Sequence, residues 1–135
     1  MNMTRLLQSI KSHEGRRETA YQDSLGVWTI GYGHNLETRP LSDAVIEMLL
    51  GEDLEGAITD ARSLVPDFDD LDDRRQEVLV EMAFNLGRAG LASFKRMLSA
   101  VKRRDYQSAA DEMLNSVWRR QVGVRAEALA ERMRG

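Results

Sequence analysis

The densest run of chemistry-bearing residues lies between Glu14 and His34, EGRRETAYQDSLGVWTIGYGH. Glu14 stands where a short amphipathic helix ends. Asp23 falls in a turn between two β-rich runs, and Thr29 lies on the returning run. Two carboxyl groups and a hydroxyl can hydrolyse a glycosidic bond. One carboxyl, protonated, donates to the leaving oxygen, and the other, ionised, assists a water or stabilises the oxocarbenium-like centre. The two need different surroundings to hold different protonation states at one pH. A Glu shielded at a helix end would keep its proton, and an Asp on a solvated turn would stay charged. A threonine hydroxyl can hold the water. Spacing alone does not single this pair out, because 22 acidic residues in 135 offer many such pairs.

Other arrangements are excluded or weakened. The chain has no cysteine, so it holds neither disulfides nor a Cys-based zinc site. His13-Glu14 lacks the second histidine of a zinc-protease helix. No Gly-x-Ser-x-Gly elbow is present, and Gly31-Tyr32-Gly33 is too short for a phosphate loop. The acidic run Asp67–Asp73 lacks EF-hand spacing and reads as loop and helix caps. His34 reads as a hydrogen-bonded structural histidine, and Trp28 and Trp118 as core or lobe-seam residues.

The elements that must position the set read as follows. Met3, Leu6, Leu7 and Ile10 recur at helical spacing over Thr4–Ser12, with Asn2 or Thr4 as cap and Gly15 as stop. Thr19–Gln22 and Val27–Ile30 read as strands joined by the Asp23-Ser24-Leu25-Gly26 turn. A long helix runs from Ser42 to about Leu64, and Pro66 breaks the pattern. Helices then follow at about Asp73–Leu86, with Gly87 as the stop, around Phe94–Val101, after the Asp105 cap, and from Val124 to Met133. The fold class is α+β in a single domain of ordinary length. A small lobe spans about 14–41, a linking helix about 42–64, and a larger helical lobe about 1–13 plus 67–135. The seam between lobes is the expected binding cleft.

Net charge is −3, yet residues 1–73 carry −9 and residues 74–135 carry +6. The basic half suits a polyanionic partner, and equally a solvated helical surface. No stretch approaches bilayer-spanning length, and the opening MNMTRLLQSIK has no signal-peptide run.

The whole string decides between these readings. His13-Glu14-Gly15, Ala20-Tyr21-Gln22-Asp23 and Trp28-Thr29-Ile30-Gly31-Tyr32-Gly33-His34 resemble the phage T4-type lysozymes, the endolysin family of glycoside hydrolases. Phe84-Asn85-Leu86-Gly87 with Gly90 and Phe94, and Trp118 with Gln121 and Arg125-Ala126, extend the resemblance along nearly the whole chain. It implies a lysozyme-like fold and a muramidase, cutting the β-1,4 bond between N-acetylmuramic acid and N-acetylglucosamine with inversion. Glu14 would be the general acid, Asp23 the second carboxylate, and Thr29 the residue that places the water. Tyr32, Phe84, Asn85 and Gln121 would contact substrate. His34 and Arg125 would be structural neighbours, with Arg125 reaching toward Glu14. The resemblance implies no metal or organic cofactor, no nucleic acid and no stable membrane insertion. The partner is the peptidoglycan glycan strand, met by a soluble monomer that accumulates in a host cytoplasm and reaches the wall through a separate holin-type membrane protein. A lytic transglycosylase and a non-catalytic wall-binding module are the alternatives. The chain departs from the family pattern at Asn35, in the short link Glu37–Leu41, and at Met97 and Glu112, which predicts a trimmed small lobe and altered substrate contacts.

Overall fold

The computed structural model describes all 135 residues, and they divide into two compact units, Met1–Met48 and Leu49–Gly135. The fold is α+β, seven helices with one small antiparallel sheet. No helix is long and apolar enough to cross a membrane.

The first unit opens with α1, Met3–Glu14. Asn2 caps it by accepting the Arg5 N–H on its side-chain oxygen at 2.9 Å. Gly15, at φ 75°, ends it. This is the usual helix grammar of a polar cap and a left-handed glycine. Strands β1 (Arg17–Gln22), β2 (Trp28–Gly31) and β3 (His34–Asn35) form the sheet in that order. Tyr21 faces Thr29 across the first ladder, and Thr29 faces Asn35 across the second.

The third strand was not foreseen, and Asn35 explains it. The Asn35 side-chain oxygen accepts the N–H groups of Glu37 and Thr38, each at 2.9 Å. The Glu37 carboxylate accepts the Trp28 N–H at 3.0 Å, and the Leu36 N–H reaches Trp28 O at 2.9 Å. Asparagine builds such turns because its side chain mimics a backbone acceptor. The short link is therefore clamped back on β2 by two side chains. Asn35→Ala is expected to cost about 1 kcal/mol and to speed hydrogen exchange at the Glu37 and Thr38 amides. Unchanged exchange at both would refute the clamp.

Helix α2, Asp43–Leu64, runs from the first unit into the second. The second unit continues with a 3₁₀ turn, Phe68–Asp70, inside the acidic run. It exists because Phe68 turns inward and is buried. Helix α3 spans Asp73–Ala92 and breaks at Gly87, φ 73° and ψ 173°. The expected stop is thus real, but the chain returns to helix at once. Helices α4 (Lys95–Lys102), α5 (Tyr106–Leu114), α6 (Val117–Val122) and α7 (Val124–Arg134) complete the unit. Val78, Leu79, Met82, Leu91, Met97, Val101, Met113 and Met133 are its largest fully buried side chains. Methionine's flexible side chain suits it to the irregular gaps between short helices.

The charge asymmetry along the sequence is bridged in space at two points. Arg104 pairs with Asp67 at 2.8 Å and Arg75 with Asp72 at 3.4 Å, joining the basic half to the acidic run. Within the basic half, Arg132 pairs with Glu77 at 2.6 Å. Apart from the largely buried Arg75 side chain, the partners are exposed or half-exposed, and each pair adds little stability.

Asp105 caps α5, accepting the Ser108 N–H at 3.1 Å. Its carboxyl is held below the usual value, first by the Ser108 side chain, then by the Ser108 backbone N–H, with Arg103 adding attraction. A depressed folded-state value means that this stabilisation is complete above the ordinary carboxylate range. It is lost as pH falls through the lower folded value. Asp105→Asn keeps a neutral cap. It is expected to be less stable than wild type at pH 7, with the gap closing in acid. A gap independent of pH in urea titrations would contradict the charge argument.

Candidate active site

The Asp23 turn is built by Asp23 itself. Its Oδ1 accepts the N–H groups of Leu25 at 2.8 Å and Val27 at 3.0 Å. Its own N–H donates to Val27 O at 2.9 Å, and the Gly26 N–H returns to Asp23 O at 2.9 Å. Gly26 supplies the left-handed step at φ 78°. One carboxylate oxygen is thereby committed to the turn, and Oδ2 remains for other work.

Thr29 is buried, and it is the one polar side chain in the chain that is. Its hydroxyl donates to Val27 O at 2.9 Å. Val27 O therefore accepts from both the Asp23 N–H and the Thr29 hydroxyl. A single carbonyl oxygen ties the two predicted residues together. With its proton spent on Val27, the Thr29 oxygen can only accept from a further partner.

Glu14 closes α1 and is exposed, so the shielding expected of it is not seen within the first unit. Its carboxyl lies against the backbone of Gly33. A β-carbon at Gly33 would sit 2.5 Å from Glu14 Oε2 and 3.0 Å from Cδ. Gly33 has φ 73°, which favours glycine on conformational grounds as well. Glu14, Asp23, Thr29, Tyr32 and His34 all belong to the first unit. Tyr32 is 40% exposed, with the Lys11 ammonium 5.6 Å from its ring centre. The His34 Nε2 lies 3.1 Å from Arg39 O. A carbonyl can only accept, so Nε2 carries a proton and the ring anchors the link after β3. Trp28 is half-exposed on β2 rather than buried.

The remaining predicted residues lie in the second unit. Phe84 is 41% exposed and lines an apolar groove of about 550 Å³ with Leu50, Leu54, Ile58 and Val80. Asn85 uses its side-chain oxygen to accept the Trp118 indole N–H at 2.7 Å. Trp118 is buried, edge-on to Phe94 with ring centres 5.8 Å apart. Gln121 is exposed on α6. Arg125 donates to Glu81 at 3.0 Å across α7 and α3. Met97, one of the departures from the family pattern, is a core residue, and Glu112 lines a shallow depression with Lys95 and Arg96. Two features escaped the sequence reading, the Val27 carbonyl and the space above Gly33. Only the glycine itself signalled the second.

Comparison with known proteins places these observations. The Phage lysozyme family model matches residues 11–134. The endolysin of Salmonella phage P22 is 31% identical over 82% of this chain and 78% of its own length. The endolysin of Acyrthosiphon pisum secondary endosymbiont phage 1 is 30% identical over 78% of this chain and 72% of its own. A Dictyostelium discoideum protein named probable T4-type lysozyme 2 is 25% identical over 90% of this chain and 88% of its own. With a match that takes in Glu14, Asp23 and Thr29 and reaches into α7, the chain belongs to the phage lysozyme family.

Proposed function

We propose that this peptidoglycan hydrolase of the lysozyme type is an inverting muramidase, cutting the β-1,4 bond from N-acetylmuramic acid to N-acetylglucosamine. Glu14 gives its proton to the glycosidic oxygen as that bond breaks. A water attacks the anomeric carbon from the opposite face. Asp23 accepts one proton of that water, and the Thr29 oxygen accepts a hydrogen bond from the other. Both hydrogens are then held, and a lone pair is left for the sugar carbon. The product carries a new reducing end of inverted configuration.

The observation that carries this reading is the shared acceptor, Val27 O. It joins the Asp23 turn to Thr29 and leaves the Thr29 hydroxyl only an accepting role. A water that donates both hydrogens to two acceptors keeps both lone pairs free and gains electron density at oxygen, whereas a donor on that water would engage one lone pair and draw density away from the attack. Tyr32 in the first unit, and Phe84, Asn85 and Gln121 in the second, are assigned to the sugar strand. His34 and Arg125 hold neighbouring structure through Arg39 and Glu81.

The test is product analysis on purified peptidoglycan. Reducing N-acetylmuramic acid ends, first formed as the α-anomer by proton NMR, are expected. 1,6-Anhydro ends would replace the muramidase with a lytic transglycosylase, which needs no water. β-Anomer ends would replace inversion with retention. No cleavage would leave a wall-binding module.

A further inference from the structure

We infer that Gly33 is the positioning residue for Glu14: the volume that its absent β-carbon leaves is where the acid's carboxyl sits. The inference rests on the reading of Glu14 as the acid. Two glycines flank Tyr32 with nearly the same positive φ, Gly31 at 66° and Gly33 at 73°. At either position an L-residue would have to adopt a positive φ that side chains rarely take. Their surroundings differ. A β-carbon on Gly31 meets nothing within 4 Å, and one on Gly33 meets Glu14 Oε2 at 2.5 Å, Cδ at 3.0 Å and Cγ at 3.6 Å. Backbone geometry alone therefore asks for glycine at both positions, and the carboxyl asks for it at Gly33 only.

A methyl group at position 33 cannot coexist with the carboxyl as it stands. Side-chain torsions occupy discrete staggered wells, so a blocked Glu14 moves to another well instead of yielding by tenths of an ångström. A change of well carries the carboxyl well over 1 Å. Displacement of a reacting group by about 1 Å can cost about 100-fold in rate. Substrate contacts made elsewhere are untouched. The loss should thus fall on kcat and spare KM.

The experiment compares wild type, Gly31→Ala, Gly33→Ala and Glu14→Gln on soluble, uncrosslinked peptidoglycan strands. Gly33→Ala is expected to lose about 100-fold in kcat with KM within about twofold of wild type. Gly31→Ala should keep kcat within about twofold. Equal losses in both variants would assign the effect to backbone strain and overturn the inference. Full kcat in Gly33→Ala would overturn it as well. Activity retained by Glu14→Gln would instead refute the reading of Glu14 as the acid. Urea unfolding of the same variants is the folding control. Gly33→Ala and Gly31→Ala should both stay folded, because the exposed Glu14 carboxyl can turn aside at little cost. A Gly33→Ala variant unfolded at the assay temperature while Gly31→Ala is folded would assign the lost activity to the fold and overturn the inference.

Discussion

Glu14→Gln is expected to lower kcat by about 10²–10⁴-fold, the range that a positioned general acid contributes, while leaving the fold intact or slightly more stable. The amide has nearly the shape of the acid and no proton to give to a leaving sugar oxygen. Stability points the same way. Glu14 is the last residue of α1, preceded in the final turn by Lys11 and His13. Any ionised fraction of Glu14 is repelled by the partial negative charge of the helix end, a small cost that the neutral amide removes. The structure gives the Glu14 side chain no ion pair and no hydrogen bond to offset that cost. A residue that is poor for its helix and essential for turnover is kept for chemistry. Reducing-end release would measure the first effect and urea unfolding the second. A tenfold loss or less, or a marked loss of stability, would show that Glu14 serves the fold.

The sequence made much of this visible, and the limits have physical causes. Helix α1 and the hairpin were readable because their signals are local. Asn2 and Gly15 punctuate the helix, and Asp23 and Gly26 form a turn inside four residues. Strand β3 has two residues, too few for any alternation, and exists through the Asn35 and Glu37 side chains. Gly87 was readable as a break and not as a kink, because the sequence cannot say whether the chain resumes a helix after a left-handed residue. At the site, the residue types could be read and their commitments could not. That the Thr29 proton is spent on Val27 depends on strand register. That Asn85 serves an indole 33 positions away depends on how α6 settles on α3. Phe84 and Asn85 adjoin in sequence, yet one is exposed in a groove and the other is engaged with a core tryptophan.

That engagement predicts the largest stability loss in the second unit. Trp118 is the one buried residue of six-residue α6. So short a helix has little stability of its own, and it depends on this anchor. Trp118→Ala removes the edge contact with Phe94, leaves a cavity, and strips Asn85 of its donor. A loss of about 3–5 kcal/mol is expected, with early hydrogen exchange at Gly123, whose N–H closes α6 on Arg119 O at 2.8 Å. Trp118→Phe keeps one aromatic ring but deletes the indole N–H together with part of the ring volume, so its cost should fall to about 1–3 kcal/mol. Asn85→Ala deletes the same bond from the other side. In a double-mutant cycle with Trp118→Phe the two should couple, the pair costing about 1 kcal/mol less than the sum. Strict additivity would mean that the bond carries no energy, and Asn85 would then be free to serve the sugar strand alone. Coupling would mean that Asn85 is held by Trp118 before any substrate arrives. Its kcat and KM effects would then have to be judged against the Trp118→Phe variant rather than against wild type.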